Sequence, residues 1–401
     1  MLYKKIEQLT VADFQDLIDN GVNESKSIEY KEELTIGKDD ERKEFLYDVS
    51  AFANAGGGDL IFGISEKKDV GLPNNLIGID IQNKDELKLK LENLIRDGIS
   101  PRITGLQIET FSLPNSKDIL LLRIPKSWNS PHQVTFKGTD KFYTRGTNGK
   151  YKLDVGELRN AFLYSNSVTE KIRKLREDRL LKIIAHETPI IMRENAKIVL
   201  HIMPVNSFAS DAIYNLDFIV KADQSLLKTI GNSPYLKHNY NLDGVVGYPP
   251  YKEIDVPGYN GYVQIFRNGV IESVNSEILV PYNNWRKIPS SRGWNYEELI
   301  LERYKEYFDI LKTLQIEPPF SVSLAFISVK DYFMEYDNRN IRSRQEPPLV
   351  DRDILILPEI IIEDYTTTAE KQLKPLFDMV WNACGLERSM SYDKDGNWIN
   401  K

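Results

Sequence analysis

VSAFANAGGGDLIFGIS, residues 49–65, runs from the end of an amphipathic helix through three glycines into a short apolar segment. Apolar residues at helical spacing predict that this helix covers residues 39–54. They are Phe45, Leu46, Val49 and Phe52. The glycines at 56–58 end the helix, and DLIFGIS then predicts a buried strand. The order helix, glycines, strand is the reverse of a phosphate-binding loop, so no nucleotide site is expected.

Helices and strands alternate on either side of this segment. A helix is predicted over residues 9–19, with Thr10 as its N-cap, and a strand over residues 27–30. KDELKLKLENLIRDG predicts a third helix, and GLQIETFSL and DILLLRIP predict a hairpin joined by PNSK. Two short strands around Gly138 and a closing helix over DVGELRNAFLYS follow. This order of elements predicts the α+β fold class.

The length of 401 residues favours two domains. EKIRKLREDRLLKIIAH predicts a charged helix that connects them. In the second half, KIVLHIMPV and FSVSLAFISV predict strands, and GYVQIFRNGVIESV predicts a hairpin with a type I′ turn at Asn268-Gly269. Helices are predicted over residues 295–313 and over AEKQLKPLFDMVWNAC. We therefore predict a first domain at residues 1–165, a connecting helix at 166–187 and a second α+β domain at 188–401.

Composition limits the classes of function. The hydrophobic fraction of 41% and the charged fraction of 28% are those of a globular protein and exclude disorder. A net charge of −7 gives no overall positive field, so any nucleic-acid site must be a local patch. The single cysteine, Cys384, favours a reducing, cytoplasmic compartment. No signal peptide or long apolar segment is apparent, so a membrane partner is not expected.

The densest chemical signal is a cluster of acids with one lysine. Glu29 and Lys31 form an E-x-K on a predicted strand and therefore share a face, and Glu24 lies five residues earlier. Paired carboxylates hold a divalent cation such as Mg²⁺ or Mn²⁺, and a neighbouring lysine stabilises charge on a phosphate. Glu66, at the exit of the DLIFGIS strand, is the preferred third ligand, with Asp59 and Asp69 as alternatives. The structural alternative is a set of exposed charges on an edge strand.

A basic stretch occupies residues 117–159, where nine basic and four acidic side chains give a local charge of +5. Aromatic residues are interleaved with the cations, a mixture suited to phosphate contacts and base stacking. A solvated basic face is the alternative reading. The predicted nucleic-acid contacts are Lys137, Lys141, Tyr143, Arg145 and Lys150.

Four segments in this order, ESKSIEYK, VSAFANAGGGDLIFGISE, SPHQV and FYTRGTNGKY, resemble the AlbA_2 domain shared by bacterial DNA-binding proteins and Schlafen proteins. The similarity extends over residues 24–162. It implies a mixed sheet with flanking helices. Glu24, Glu29 and Lys31 match the family's E-x-x-x-x-E-x-K block, and Glu66 stands where the family usually shows an aspartate.

The resemblance implies a divalent-metal-dependent endoribonuclease that cuts structured RNA such as tRNA. Glu24, Glu29 and Glu66 would bind the metal, and Lys31 would assist at the phosphate. Schlafen cores have two similar lobes, so a homodimer would restore the second lobe, and the second half of this chain could sense a trigger in antiviral defence. Two alternatives stay open at this point: a non-catalytic DNA-binding transcriptional regulator of the same fold, and an interaction protein whose second half carries the function.

Overall fold

The computed structural model divides into two units, Met1–Thr169 and Glu170–Lys401. The structure describes residues 2, 4, 6–67, 72–147, 149–210, 213–222, 227–231, 237–250, 256–281, 283, 285–291, 294–336 and 346–399. Both units are mixtures of helices and strands, which confirms the predicted α+β class.

The helices and strands of the N-terminal unit closely follow the predicted order. They are α1 (Val11–Asp19), β1 (Ile28–Lys31), α2 (Asp39–Asn54), β2 (Gly57–Phe62), β3 (Ile64–Lys67), β4 (Leu72–Leu76), α3 (Lys84–Gly98), β5 (Ile99–Ser100), β6 (Gln107–Ser112), β7 (Asp118–Pro125), β8 (Gln133–Val134), β9 (Lys141–Gly146), β10 (Gly149–Lys152) and α4 (Val155–Ile184). Short 3₁₀ turns occupy Ile6–Gln8 and Phe136–Gly138.

A four-stranded sheet in the order β1-β2-β7-β6 lies at the centre of this unit. β1 and β2 are parallel and joined by α2, whereas β7 is antiparallel to both of its neighbours. Alternate residues of β2 pack into two different cores: Leu60 packs with α2, and Ile61 packs with α1. Helices therefore flank both faces of a mixed sheet, as predicted. A second sheet has the order β10-β9-β8-β5.

Glycines are required between α2 and β2 because other atoms of the protein lie where their side chains would be. Gly57 has a φ of +74°, and a Cβ there would lie 2.5 Å from the backbone nitrogen of Lys126. A Cβ on Gly58 would lie 2.5 Å from the Phe52 ring. The glycines therefore allow a tight turn from helix to strand.

The structure corrects the prediction that DLIFGIS is one strand. Gly63, with a φ of +97°, separates β2 from β3, and β3 pairs with β4 in a separate hairpin. Gly63 lies against the backbone of Gly78, where a Cβ would be 2.9 Å from the Gly78 Cα. Glu66 consequently lies on β3, beyond the break, and not at the end of the central strand.

The helices and strands of the C-terminal unit are arranged around one large sheet, which most of the strands form. They are β11 (Lys197–Pro204), α5 (Val205–Ser210), α6 (Asp217–Ala222), β12 (Lys237–Tyr240), β13 (Gly244–Tyr248), β14 (Gly261–Phe266), β15 (Ile271–Asn275), β16 (Lys287–Ser291), β17 (Trp294–Asn295), α7 (Tyr296–Thr313), β18 (Phe320–Ile327), β19 (Phe333–Tyr336), β20 (Ile354–Ile356), β21 (Ile360–Ile362) and α8 (Ala369–Ala383). Eight strands form an antiparallel sheet in the order β12-β13-β14-β15-β11-β18-β20, with β21 also on β18. A smaller sheet has the order β17-β16-β19.

Two further sequence predictions require correction. The closing helix and the charged connector were predicted separately, but α4 is one helix of 30 residues. The β14–β15 hairpin is present, but its turn is not type I′, because within the described hairpin only Gly269 has a positive φ, of 81°.

In the described parts of the chain, we find no helix with the length and apolar character needed to cross a membrane.

The part of α4 after Thr169 belongs to the C-terminal unit, and a buried charged network holds it against the large sheet of that unit. The fully buried carboxylate of Glu272 accepts hydrogen bonds from Arg179 at 2.7 and 2.9 Å, from His201 at 2.9 Å and from Tyr262 at 2.8 Å. Burial alone would raise the pKa of Glu272, but Arg179 and His201 lower it to about 2. The buried charge is tolerated because it is fully bonded.

We expect Arg179→Met to lower the free energy of unfolding by about 3–5 kcal/mol, because it leaves the Glu272 charge buried without its main partner. Urea unfolding followed by circular dichroism measures the change. Arg173→Met on the same helix is the matched control, since the Arg173 side chain is 57% exposed where it pairs with Glu359. That pair is exposed to solvent, so its loss should change the free energy of unfolding far less than the loss of Arg179 does. Equal effects of the two substitutions would contradict the prediction.

Candidate functional site

Glu29 and Lys31 project from the same face of β1, as the E-x-K spacing predicts. The Lys31 Nζ lies 2.5 Å from the Glu29 Oε1. The other carboxylate oxygen of Glu29 accepts a hydrogen bond from the Arg145 guanidinium, which comes from β9. Glu29 is only 8% exposed, so two cations compensate one buried carboxylate.

Burial and the neighbouring charges together set the pKa values of Glu29 and Lys31. Burial by itself would raise the pKa of Glu29, but Arg145 and Lys31 outweigh it and the pKa lies below its ordinary value. Burial would lower the pKa of Lys31, but Glu29 outweighs it and that pKa is raised. Both side chains are therefore charged at neutral pH.

Glu24 is brought beside β1 by a tight turn in which the Ser25 N–H donates to the Ile28 carbonyl at 3.0 Å. Its Oε1 accepts a hydrogen bond from the Tyr30 N–H at 2.9 Å. Burial raises the pKa of Glu24, as do the carboxylates of Glu66 and Glu29, against the effect of the Tyr30 hydrogen bond. Glu24, Glu29 and Glu66 therefore share one electrostatic neighbourhood.

Glu66 reaches this neighbourhood from β3. Burial raises the pKa of Glu66, Lys31 lowers it, and the charge of Glu29 raises it further. The carboxylate thus interacts with both members of the E-x-K pair.

Of the two alternative third acids, Asp59 is engaged elsewhere and does not join this group. Asp59 is fully buried and bound by the Arg123 guanidinium at 2.8 and 3.2 Å, directly across the β2–β7 pair. It also accepts from the Leu2 N–H at 2.6 Å, so it holds the N-terminal segment in place. Asp69 lies outside the described residues.

Arg145 is placed differently from a phosphate-binding arginine. It is 5% exposed, its guanidinium carbon lies 4.1 Å from the centroid of the Phe52 ring, and it also donates to the Ser25 carbonyl at 3.3 Å. The prediction that Arg145 contacts nucleic acid does not agree with this burial. Arg145 instead holds Glu29.

Lys150 is also occupied by carboxylates. Its Nζ lies 2.6 Å from Asp48 Oδ1 and binds the Glu44 carboxylate as well, so the predicted contact with nucleic acid would require competition with two acids. Asp48 is 5% exposed and was missed by the sequence analysis. Its position in the sequence indicates burial, because Asp48 lies three residues after Phe45 and four before Phe52, on the apolar stripe of α2.

The remaining predicted contacts are more accessible. The side chain of Lys137 is 61% exposed and lies 3.6 Å from Asp39 Oδ2, and Lys141 is exposed at the start of β9. Tyr143 is partly exposed and packs against Tyr47 of α2. Much of the local positive charge is thus compensated by acids from elsewhere in the unit, whereas Lys137 and Lys141 face solvent.

The chemistry of the donors fits a hard divalent cation, because Glu24, Glu29 and Glu66 offer carboxylate oxygens in one neighbourhood. Their spacing does not by itself form a coordination shell: within the described ranges, no three acidic, histidine or cysteine side chains are grouped to hold a metal ion. Arg145 and Lys31 occupy both oxygens of Glu29. A metal would therefore have to share Glu29 with these cations.

Residues 24–154 match the family model described as Schlafen, AlbA_2. The N-terminal unit thus contains a Schlafen-type AlbA_2 domain, as the sequence motifs predicted, and this family suggests a function related to nucleic acids.

Two solved structures are similar to parts of the chain. The DIP2311 protein from Corynebacterium diphtheriae is 18% identical, with 37% of this chain and 27% of that chain covered and a TM-score of 0.26. The N-terminal domain of a RecG-related protein from Nitrosomonas europaea is 22% identical, with 35% of this chain and 80% of that chain covered and a TM-score of 0.23. No curated protein matches the chain.

The raised pKa of Asp48 predicts that the stability of the fold depends on pH. Burial raises the pKa of Asp48 from 3.8 to about 6, with a further contribution from Glu29, against the effect of Lys150. The folded protein therefore binds this proton more tightly than the unfolded chain, and stability falls as the pH rises from about 4 to about 6. The loss amounts to about 3 kcal/mol. Asp48→Asn should not show it in urea unfolding at a series of pH values.

Asp40→Asn is the matched control for this measurement, because the Asp40 side chain on the same helix is 96% exposed. It should retain the pH dependence of the parent protein. The same pH dependence in the parent and in Asp48→Asn would exclude Asp48 as the buried group.

Proposed function

We propose that the N-terminal unit is a divalent-metal-dependent endoribonuclease that acts on structured RNA such as tRNA. The main support is geometric: Lys31 Nζ lies 2.5 Å from Glu29 Oε1 on β1, and Glu24 accepts from the Tyr30 N–H of the same strand at 2.9 Å, beside the carboxyl ends of the parallel strands β1 and β2. The charge of Glu66 acts on Glu24 there. Sites that bind ligands in mixed and parallel sheets commonly lie at such strand ends.

Each side chain has a role in this proposal. Glu24, Glu29 and Glu66 would hold Mg²⁺ or Mn²⁺, and the bound metal would polarise the phosphate and activate water. Lys31 is 40% exposed at its side chain, so its ammonium group can reach a phosphate oxygen while it remains close to Glu29. Arg145 orients the Glu29 carboxylate and keeps it ionised.

A second candidate, a non-catalytic DNA-binding regulator, is favoured by one observation. Both oxygens of Glu29 are bound by cations, an arrangement that is complete without a metal. In this case the carboxylates stabilise the domain, and the exposed Lys137 and Lys141 contact phosphates. Homodimerisation, a sensor role for residues 188–401 and a part in antiviral defence rest on the resemblance alone.

We expect the purified full chain to cut tRNA in the presence of Mn²⁺ or Mg²⁺, and Glu24→Gln and Glu66→Gln to lower the rate by at least about 100-fold. Loss of a metal ligand should remove several kcal/mol of transition-state stabilisation, and each 1.4 kcal/mol is tenfold in rate. Gel electrophoresis of end-labelled tRNA measures the cleavage. Glu33→Gln removes an exposed carboxylate on the same segment and should leave the rate unchanged.

The outcome separates the two candidates. Cleavage that survives both Glu24→Gln and Glu66→Gln would reject the assigned site. Salt-sensitive binding to duplex DNA without any cleavage of RNA would favour the regulator, with a slope against salt set by the number of phosphates contacted.

A further inference from the structure

The face of β9 and β10 that carries Arg145 and Lys150 also carries residues further along both strands. Arg145 lies opposite Lys150, and Tyr143 lies opposite Lys152. Alternate residues of a strand share a face, so Tyr143 is on the same face as Arg145, about 7 Å along the strand. The ring of Tyr143 is therefore one step away from the cations that hold Glu29 and Asp48.

Tyr143 is paired with a second tyrosine from α2. The rings of Tyr47 and Tyr143 have centroids 4.3 Å apart with an interplanar angle of 36°, and both residues are partly exposed. Tyr47 directly precedes Asp48 and lies three residues after Glu44, the two acids that bind Lys150. The aromatic pair therefore adjoins the charged site.

The position of this pair is fixed by the backbone beneath it. The side-chain amide of Asn54, at the end of α2, donates to the carbonyls of Tyr143 at 2.8 Å and His132 at 2.9 Å. Its oxygen accepts from the His132 N–H at 2.6 Å. α2 is thus tied to β9, and a preformed surface binds a ligand at a smaller entropic cost.

The surroundings of the two rings are cationic. Lys152, opposite Tyr143, is exposed, and so is Lys141, two residues before Tyr143 on the same face of β9. Partly exposed aromatic rings between exposed lysines are the combination that binds single strands, through stacking of bases and contacts to phosphates. A base within a continuous duplex is already stacked on its neighbours, so such a surface accepts bases from loops, bulges and ends.

We propose that Tyr47 and Tyr143 form a base-stacking subsite that takes an unpaired nucleobase next to the phosphate held at the Glu29 site. This inference rests on the proposed function and specifies its substrate: the bound segment of RNA is single-stranded or lies in a loop. Lys141 and Lys152 contact the phosphates that flank the stacked base.

The test measures binding of a fluorescent single-stranded RNA and of an RNA duplex of the same length by the full chain, without divalent metal so that no cleavage occurs. Tyr143→Ala and Tyr47→Ala should each weaken single-strand binding by roughly 5- to 150-fold, the range expected for one lost stacking contact. Tyr143→Phe keeps the ring and should bind like the parent. Duplex binding should change by less than about 2-fold, because its bases do not reach the rings.

Tyr151→Ala is the matched control. Tyr151 lies on β10 between Lys150 and Lys152 and therefore points to the opposite face, where its hydroxyl donates to Glu157 at 2.8 Å. It is 44% exposed, so its loss removes a similar aromatic surface from the same hairpin. Thermal unfolding of every variant identifies any that fails to fold, and for such a position Tyr143→Leu or Tyr47→Leu replaces the alanine variant.

A second measurement reports on stacking directly. An RNA with 2-aminopurine at successive unpaired positions should show a change in fluorescence on binding at one position, and Tyr143→Ala should abolish that change. RNA binding that both alanine variants leave unchanged, or that Tyr151→Ala weakens equally, overturns the subsite and leaves the proposed function standing. A parent protein without affinity for any RNA overturns both.

Discussion

The buried ion pair between Glu29 and Arg145 is the interaction on which the N-terminal unit depends. It joins β1 of the central sheet to β9 of the second sheet, across the ring of Phe52 from α2. Neither charge could be buried alone without a cost of several kcal/mol. The pair therefore fixes the position of the second sheet against α2, and everything that β9 and β10 contribute to the site follows from that position.

Three of the nine cations in the basic stretch compensate buried acids. Arg123 is bound to Asp59, Arg145 to Glu29 and Lys150 to Asp48, and in each case the acid is almost fully buried. Because Arg145 and Lys150 lie directly opposite each other, their like charges would destabilise the strand pair without these acids. A charge total for the segment therefore overstates the positive field that a nucleic acid would meet.

The sequence was sufficient for features that depend on neighbours along the chain. The bounds of α2 follow from its apolar stripe and the glycines after it, and the shared face of Glu29 and Lys31 follows from the period of a strand. The break at Gly63 and the burial of Arg145 depend on contacts with Gly78 and Glu29, far away in sequence. Asp48 is intermediate, because its place on the apolar stripe was visible but its partner Lys150 was not.

α2 positions both the charged residues and the tyrosines of the candidate site, because its side chains at helical spacing face the same neighbouring strands. Glu44 and Asp48 bind Lys150, Tyr47 packs on Tyr143, and Asn54 ties the last turn to β9. The same helix packs its apolar stripe against β2, next to the strand that carries Glu29. Glu29 on β1 and the Tyr47–Tyr143 ring pair are therefore positioned by one helix, so the distance between them is set by the fold and not by a loop.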